Sequence, residues 1–228
     1  MKDILKKIVN IKHLFHSGKE VNCLVCDFKA NSFKNGRCYK CDSLPRIRLI
    51  PFSINHFRLG NNERLLHVAP NIQEYNFIKR QYKFKVYDRL NINASKHINI
   101  VQDLTKTTLV DNQYDLIIIW HVLEHIPNDF DAIKEMYRVL KPDGKLLVSV
   151  PIFPHGNEKT YEPKELERSQ YNTVHGHPDH CRSCGLDYYL RFEDVGFKTQ
   201  TLHSKDIDEN TKRQLGLSNS HTVWLFTK

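Results

Sequence analysis

The chain predicts a doubly wound, mostly parallel α/β fold, and three features of one stretch predict it. Residues 116–120 are apolar at every position, and Leu146 to Val150 is a second such run broken by one serine. Runs of this kind belong to parallel strands covered on both faces. Between them Phe130, Ile133, Met136, Tyr137 and Leu140 recur at helical spacing, with Asn128 where a cap would stand and Lys141-Pro142-Asp143-Gly144 as a stop signal. Strand, helix, strand is the repeating unit of such a sheet.

The other elements follow in order. Residues 3–15 place Ile4, Leu5, Ile8, Ile11, Leu14 and Phe15 on one side and Lys2, Lys6, Lys7 and Lys12 largely on the other, which predicts an amphipathic helix packed on its own domain. Residues 46–59 predict a linker helix interrupted near Pro51. A strand at 64–69, a helix at 72–81, and strands at 84–88 and 99–102 come next. The short gap after Asp88 leaves room for a turn rather than a full crossover helix. Residues 154–184, rich in His, Pro, Glu and Tyr, read as an insertion over a substrate pocket. A helix at 185–195 stopped by Gly196 and two strands, 198–204 and 221–227, close the sheet at an antiparallel end. The organisation is therefore an N-terminal part, 1–60, and an α/β domain, 61–228.

Composition narrows the class. The chain has 228 residues with 40% hydrophobic content and no apolar stretch near the ~20 residues that span a bilayer, so no transmembrane segment is expected. The N-terminus lacks the apolar region and cleavage site of a secretory signal, which makes a cytoplasmic location the expectation. The formal charge of +8 permits a nucleic-acid partner, but the basic residues are scattered and form no arginine-rich tract, so that partner is not favoured. Oligomeric state is not legible.

Six cysteines form three C-x2-C pairs, Cys23/Cys26, Cys38/Cys41 and Cys181/Cys184. In a reducing compartment, two such pairs eleven residues apart present four thiolates to a tetrahedral metal, so Cys23, Cys26, Cys38 and Cys41 predict a zinc knuckle over 22–45. A segment this short and polar needs such a staple to fold. The third pair lies beside His175, His177 and His180. A second metal site and a polar insertion loop are both open there, and the loop is preferred.

The order HVLEHIP (121–127), helix, RVLKPDG (138–144), strand resembles the class I methyltransferases that use S-adenosylmethionine, and their type 11 group in particular. The resemblance extends through LLHVAPN (65–71), VYDRL (86–90), QDLT (102–105) and residues 178–197, roughly the last three-quarters of the chain. Relatives of this kind also carry the double cysteine pair followed by Ser-Leu-x-Arg, here Ser43-Leu44-Pro45-Arg46. The resemblance implies a seven-stranded Rossmann-like sheet, S-adenosylmethionine as cofactor and methyl transfer as activity.

In an open parallel sheet the ligand sits beyond the carboxyl ends of the strands. That rule selects His67, Ala69, Pro70 and Asn71 after the first strand of the domain, Asp88 after the second, Asp103 and Leu104 after the third, and His121 after the fourth. A carboxylate at Asp88 can hold both ribose hydroxyls. The resemblance assigns Asp103 to the adenine amino group, with Leu104 as a backbone donor. The first loop has no G-x-G, which removes easy access to positive φ, although the relatives share its Ala-Pro pair. A hydroxyl acceptor must lose a proton on methylation, and His125 and His180 are the expected bases, oriented by Glu124 and Asp179. Family association points to a sugar, a glycan precursor or another small metabolite as acceptor. The alternatives are an RNA methyltransferase using the knuckle and the basic surface, and a non-catalytic interaction module that has lost its cofactor.

Overall fold

A computed structural model describes residues 12–60 and 64–228. The helix expected over 3–15 lies outside these residues except for its end, where Lys12–His16 make a short 3-10 turn. Strands β1 (Ser17–Asn22) and β2 (Lys29–Ala30) form a small antiparallel hairpin. Helix α1 (Pro45–His56) follows as one continuous helix. The break expected at Pro51 is absent, although Pro51 has no N–H to donate to the turn below it. Trp120 donates from Nε1 to the Arg46 carbonyl at 3.0 Å, tying this helix to the sheet.

The domain that follows holds β3 (Arg64–Val68), α2 (Ile72–Gln81), β4 (Val86–Asn91), β5 (Ile100–Val101), β6 (Tyr114–Trp120), α3 (Asp129–Val139) and β7 (Leu140–Ser149). After the insertion, which carries α4 (Tyr171–His175), come α5 (Leu190–Glu193), β8 (Lys198–His203), α6 (Glu209–Leu215) and β9 (Thr222–Thr227). Seven strands make one sheet in the order β5-β4-β3-β6-β7-β9-β8. The first five are parallel, and β9 runs antiparallel to both β7 and β8. The chain starts at the centre with β3, winds outward to β5, then returns to β6, so the strand order reverses between β3 and β6.

The continuous apolar runs have a direct structural cause. Successive side chains alternate across a strand, so Leu66, Val68, Ile117, Ile119, Leu146 and Val148 face α3 on one side. Leu65, Leu116, Ile118 and Leu147 face α1, α2 and the cysteine element on the other. Both layers are buried.

Several boundaries differ from expectation. Strand β4 ends at Asn91 rather than 88, because Leu90 and Asn91 pair with Ile100 and Val101. Strand β7 starts at Leu140, and its register jumps from Tyr114↔Leu140 to Leu116↔Lys145, so the sequence Lys141-Pro142-Asp143-Gly144 bulges within the strand. Asn128 precedes α3, but its side chain caps nothing. The helix expected over 185–195 is a 3-10 turn, Leu186–Tyr189, running into α5.

Candidate functional site

A cleft of about 360 Å³ opens beyond the carboxyl ends of β3, β4, β5 and β6. Its walls are Val68 and Ala69, Leu90 to Ile92, Gln102 to Thr105, and the loop Val122 with His125 to Asn128. The volume lies in the ordinary range of ~300–1,000 Å³ for small-molecule sites, and the position is the point where strand order reverses.

Of the cofactor residues expected from sequence, Ala69, Asp103 and Leu104 line this cleft. Ala69 stands at φ +47°, in the left-handed region that glycine enters without strain, and its N–H donates to the Leu90 carbonyl at 2.6 Å. The loop thus makes the same turn with alanine. Asp103 Oδ1 accepts from the N–H and hydroxyl of Thr105, at 2.9 and 2.8 Å, and these donors hold its carboxyl below the usual range.

The other expected cofactor residues are not among those lining the cleft. Asp88 sits three residues inside β4, where it accepts from Tyr114 Oη and Asn99 Nδ2 at 2.8 Å each. Because the strand runs on, Asn91 occupies the strand end that Asp88 was expected to hold. His67 is fully buried within β3, sharing a hydrogen bond with the Tyr87 hydroxyl at 3.2 Å and lying 3.4 Å from Glu74. Asn71 is absorbed in a capping box at the start of α2, accepting from Glu74 N–H at 2.9 Å and donating from its amide to Glu74 Oε1 at 2.7 Å. Pro70 offers its carbonyl to His97 Nε2 at 2.8 Å. His121 follows β6 at φ +54°, with Nδ1 3.7 Å from Glu124. Asn91 and Gln102 are lining residues that sequence reasoning missed: the expected β4 stopped three residues short of Asn91, and Gln102, expected inside its strand, lies just beyond the end of β5 at Val101.

His125 and His180 do converge. His125 borders the cleft, and their rings meet edge to face with centroids 4.8 Å apart. His125 Nδ1 donates to the Asp179 carbonyl at 3.0 Å and His180 Nδ1 to the His175 carbonyl at 3.1 Å, so in each neutral ring Nε2 carries the lone pair. Glu124 lies beneath them, 1% exposed, and burial pushes its carboxyl up to about 8. Burial also lowers His125, and lowers His180 to about 4, so both are neutral bases at pH 7. Asp179 orients His125 through its backbone, while its carboxylate pairs with Arg168 at 3.1 Å.

The cysteine element forms a compact cluster on the other side of the molecule's core. Cys23 Sγ and Cys41 Sγ lie 3.7 Å apart, and Cys26 Sγ and Cys38 Sγ 3.6 Å. Zinc–sulfur bonds of ~2.3 Å at tetrahedral angles place sulfurs ~3.8 Å apart, so the four thiols fit one ion. Each C-x2-C turn closes alike: Asp27 N–H donates to the Cys23 carbonyl at 2.8 Å and Asp42 N–H to the Cys38 carbonyl at 2.9 Å. Both aspartates are left-handed, at φ +58° and +59°. The Lys40 N–H points at Cys38 Sγ, 3.4 Å away, as a donor to a thiolate.

Comparison with known proteins fits this geometry. Residues 66–148 match the methyltransferase domain family of type 11. The chain is 40% identical over 67 residues to the ubiquinone/menaquinone biosynthesis C-methyltransferase of Haemophilus ducreyi, covering 28% of this chain and 26% of that one. The corresponding enzyme of Pseudomonas fluorescens is 38% identical over 60 residues, covering 26% and 23%. The chain thus spans about a quarter of the length of these relatives. An S-adenosylmethionine-dependent methyltransferase from Mesorhizobium loti superposes with a TM-score of 0.58 at 9% identity, over 77% of this chain and 96% of that one. One from Archaeoglobus fulgidus gives 0.54 at 14%, over 80% and 94%. These likenesses concern the fold, which is the Rossmann-like sheet of such methyltransferases.

Proposed function

We propose that the chain, whose residues 66–148 match a methyltransferase domain family, is an S-adenosylmethionine-dependent methyltransferase acting on a sugar, a glycan precursor or another small metabolite. The observation that carries this reading is the cleft itself, built from the ends of β3 to β6 within the matched segment. Bound there, S-adenosylmethionine would supply an electrophilic sulfonium methyl group, leaving the protein mainly the task of alignment.

The residues divide the work by position. Asn91, at the end of β4, offers an amide to sugar hydroxyls, and the Asp103 oxygen not used by Thr105 is available to an amino group. Leu90, Leu104, Val122 and Ile126 supply apolar walls. A hydroxyl acceptor entering beside His125 meets Nε2 lone pairs on His125 and His180, which can take its proton. The small-acceptor reading rests on the resemblance described above and on the scattered basic residues.

The same proposal includes one structural zinc ion on Cys23, Cys26, Cys38 and Cys41, supported by the sulfur spacing, and a reducing, cytoplasmic setting that keeps those thiols free. Among the described residues no helix is long and apolar enough to cross a membrane.

Calorimetric titration of the zinc-replete protein with S-adenosylmethionine, and separately with its demethylated product, tests the reading. Micromolar binding of both is expected. Absence of binding to folded, metal-loaded protein would refute a working cofactor site.

A further inference from the structure

We propose that the rim of the cleft holds a second metal site, in which His125, His177, His180 and the buried carboxylate of Glu124 bind one divalent transition-metal ion. The ligand nitrogens of the three histidines lie within 4.8 Å of one another. Bonds of ~2.0–2.1 Å at tetrahedral angles need nitrogens ~3.4 Å apart, a closure of about an ångström among side chains on exposed loops.

Two features point to a cation rather than to chance proximity. The first is orientation. His125 and His180 each spend Nδ1 on a backbone carbonyl, which fixes the ring and leaves Nε2 as a free donor, the arrangement by which proteins hold metal-binding imidazoles. The second is Glu124. Its Oε1 lies 3.8 Å from His125 Nε2 and 4.0 Å from His180 Nε2, too far for hydrogen bonds, while Oε2 is buried with no hydrogen-bond partner. Two Nε2 atoms and a carboxyl group thus face one another with no hydrogen bond joining them, a gap lined by donor atoms that suits a cation.

The donor set is nitrogen and oxygen, which suits zinc, cobalt, nickel or ferrous iron. His177 is its weakest member: its ring is exposed, and Nδ1 now accepts from the Asp179 N–H at 3.1 Å, so the ring must turn to bind. The neighbouring cysteines take no part. Cys184 is buried beside Ile152, and Cys181 donates from Sγ to the His125 carbonyl at 3.5 Å. Because His125 also lines the cleft, the ion would stand where an acceptor enters, and an oxygen bound to it would lose its proton more readily. With the ion in place the two Nε2 lone pairs are coordinated and no longer act as bases; the ion would make a bound hydroxyl acidic enough to release its proton to solvent before methyl transfer.

The test is cobalt titration of the full chain, followed by absorption spectroscopy and elemental analysis. Cobalt in the cysteine element shows thiolate charge-transfer bands, so a nitrogen and oxygen site is read separately. We expect two ions per chain, the second without thiolate bands. His180→Ala should weaken that second ion at least 100-fold and His177→Ala about tenfold, while Cys181→Ser leaves it unchanged. Far-ultraviolet circular dichroism and the intact cysteine-site spectrum report that each variant is folded. A single ion per chain, or a second ion that survives His180→Ala in folded protein or is lost in Cys181→Ser, would overturn the assignment. The readout is metal binding, so it stands or falls independently of methyl transfer.

Discussion

The guanidinium of Arg48 donates to the Gly216 carbonyl at 2.6 Å, joining residues 168 positions apart. The same group reaches the carbonyls of Ser43, Gly36 and Leu215, and it stacks on Phe33 at 3.9 Å. One fully buried side chain thereby holds the cysteine element, helix α1 and the end of helix α6 together. Arg48→Ala strands four carbonyls at ~1–3 kcal/mol for each one left unsatisfied. A loss of at least about 3 kcal/mol is expected, a fall in Tm of about 6–12 °C for a chain of this size. Arg48→Lys should recover little, because a single ammonium cannot fork to four acceptors. A shift under about 2 °C for Arg48→Ala in calorimetry would show that the contacts add nothing.

How much of this was legible follows from what each signal encodes. The runs at 116–120 and 146–150 announce the central strands because both sheet faces are buried, and burial writes itself into hydropathy. The double C-x2-C pattern announces a cluster because ligand spacing is local. Strand ends are different. Asn91 extends β4 only because Val101 is there to pair with it, a contact between segments that no local pattern carries, so Asp88 was set at the end of the strand. The histidines of the rim converge from the 121–127 loop and the insertion, and no spacing rule links 125 to 180. Glu124 reads in sequence as a partner that orients these histidines, but its burial is a tertiary fact that no local pattern carries.

The end of β4 gives a sharp pair of variants. Asn91 lines the cleft, whereas Asp88 is satisfied by Tyr114 and Asn99. Asn91→Ala should weaken S-adenosylmethionine about tenfold, the ~1.4 kcal/mol of one good hydrogen bond. Asp88→Asn should leave affinity within about twofold and act instead on stability. Calorimetric affinities for the two proteins decide it, and the reverse ranking would return the ribose role to Asp88.

The sulfur spacing of the cysteine element makes its own demand. A tetrahedral thiolate site that organises a short polar segment contributes to folding directly. Cys26→Ser should remove the sulfur-ligated ion, measured by elemental analysis against the parent protein. It should also open residues 17–44 to limited proteolysis while the sheet stays folded. A variant that kept its full metal content and its protease resistance would show that the four thiols are not a metal site.

Acid stability should depend on His221. Burial, with Arg46 and His155 nearby, lowers this imidazole from 6.5 to about 4 in the folded chain. Between those values the unfolded chain binds a proton that the native one refuses, so stability is complete above about 6.5 and is lost as the pH falls towards 4. One such group contributes a slope of up to about 1.36 kcal/mol per pH unit and at most about 3 kcal/mol in total. His180 adds a parallel loss, being lowered to about 4 as well, so the total slope exceeds one proton. His221→Gln removes one titrating group without changing the other. Urea unfolding of the two proteins from pH 7 to pH 4 should therefore show curves whose slopes differ by close to one proton below 6.5 and coincide above it. Parallel curves throughout would mean that His221 titrates alike in the folded and unfolded chain.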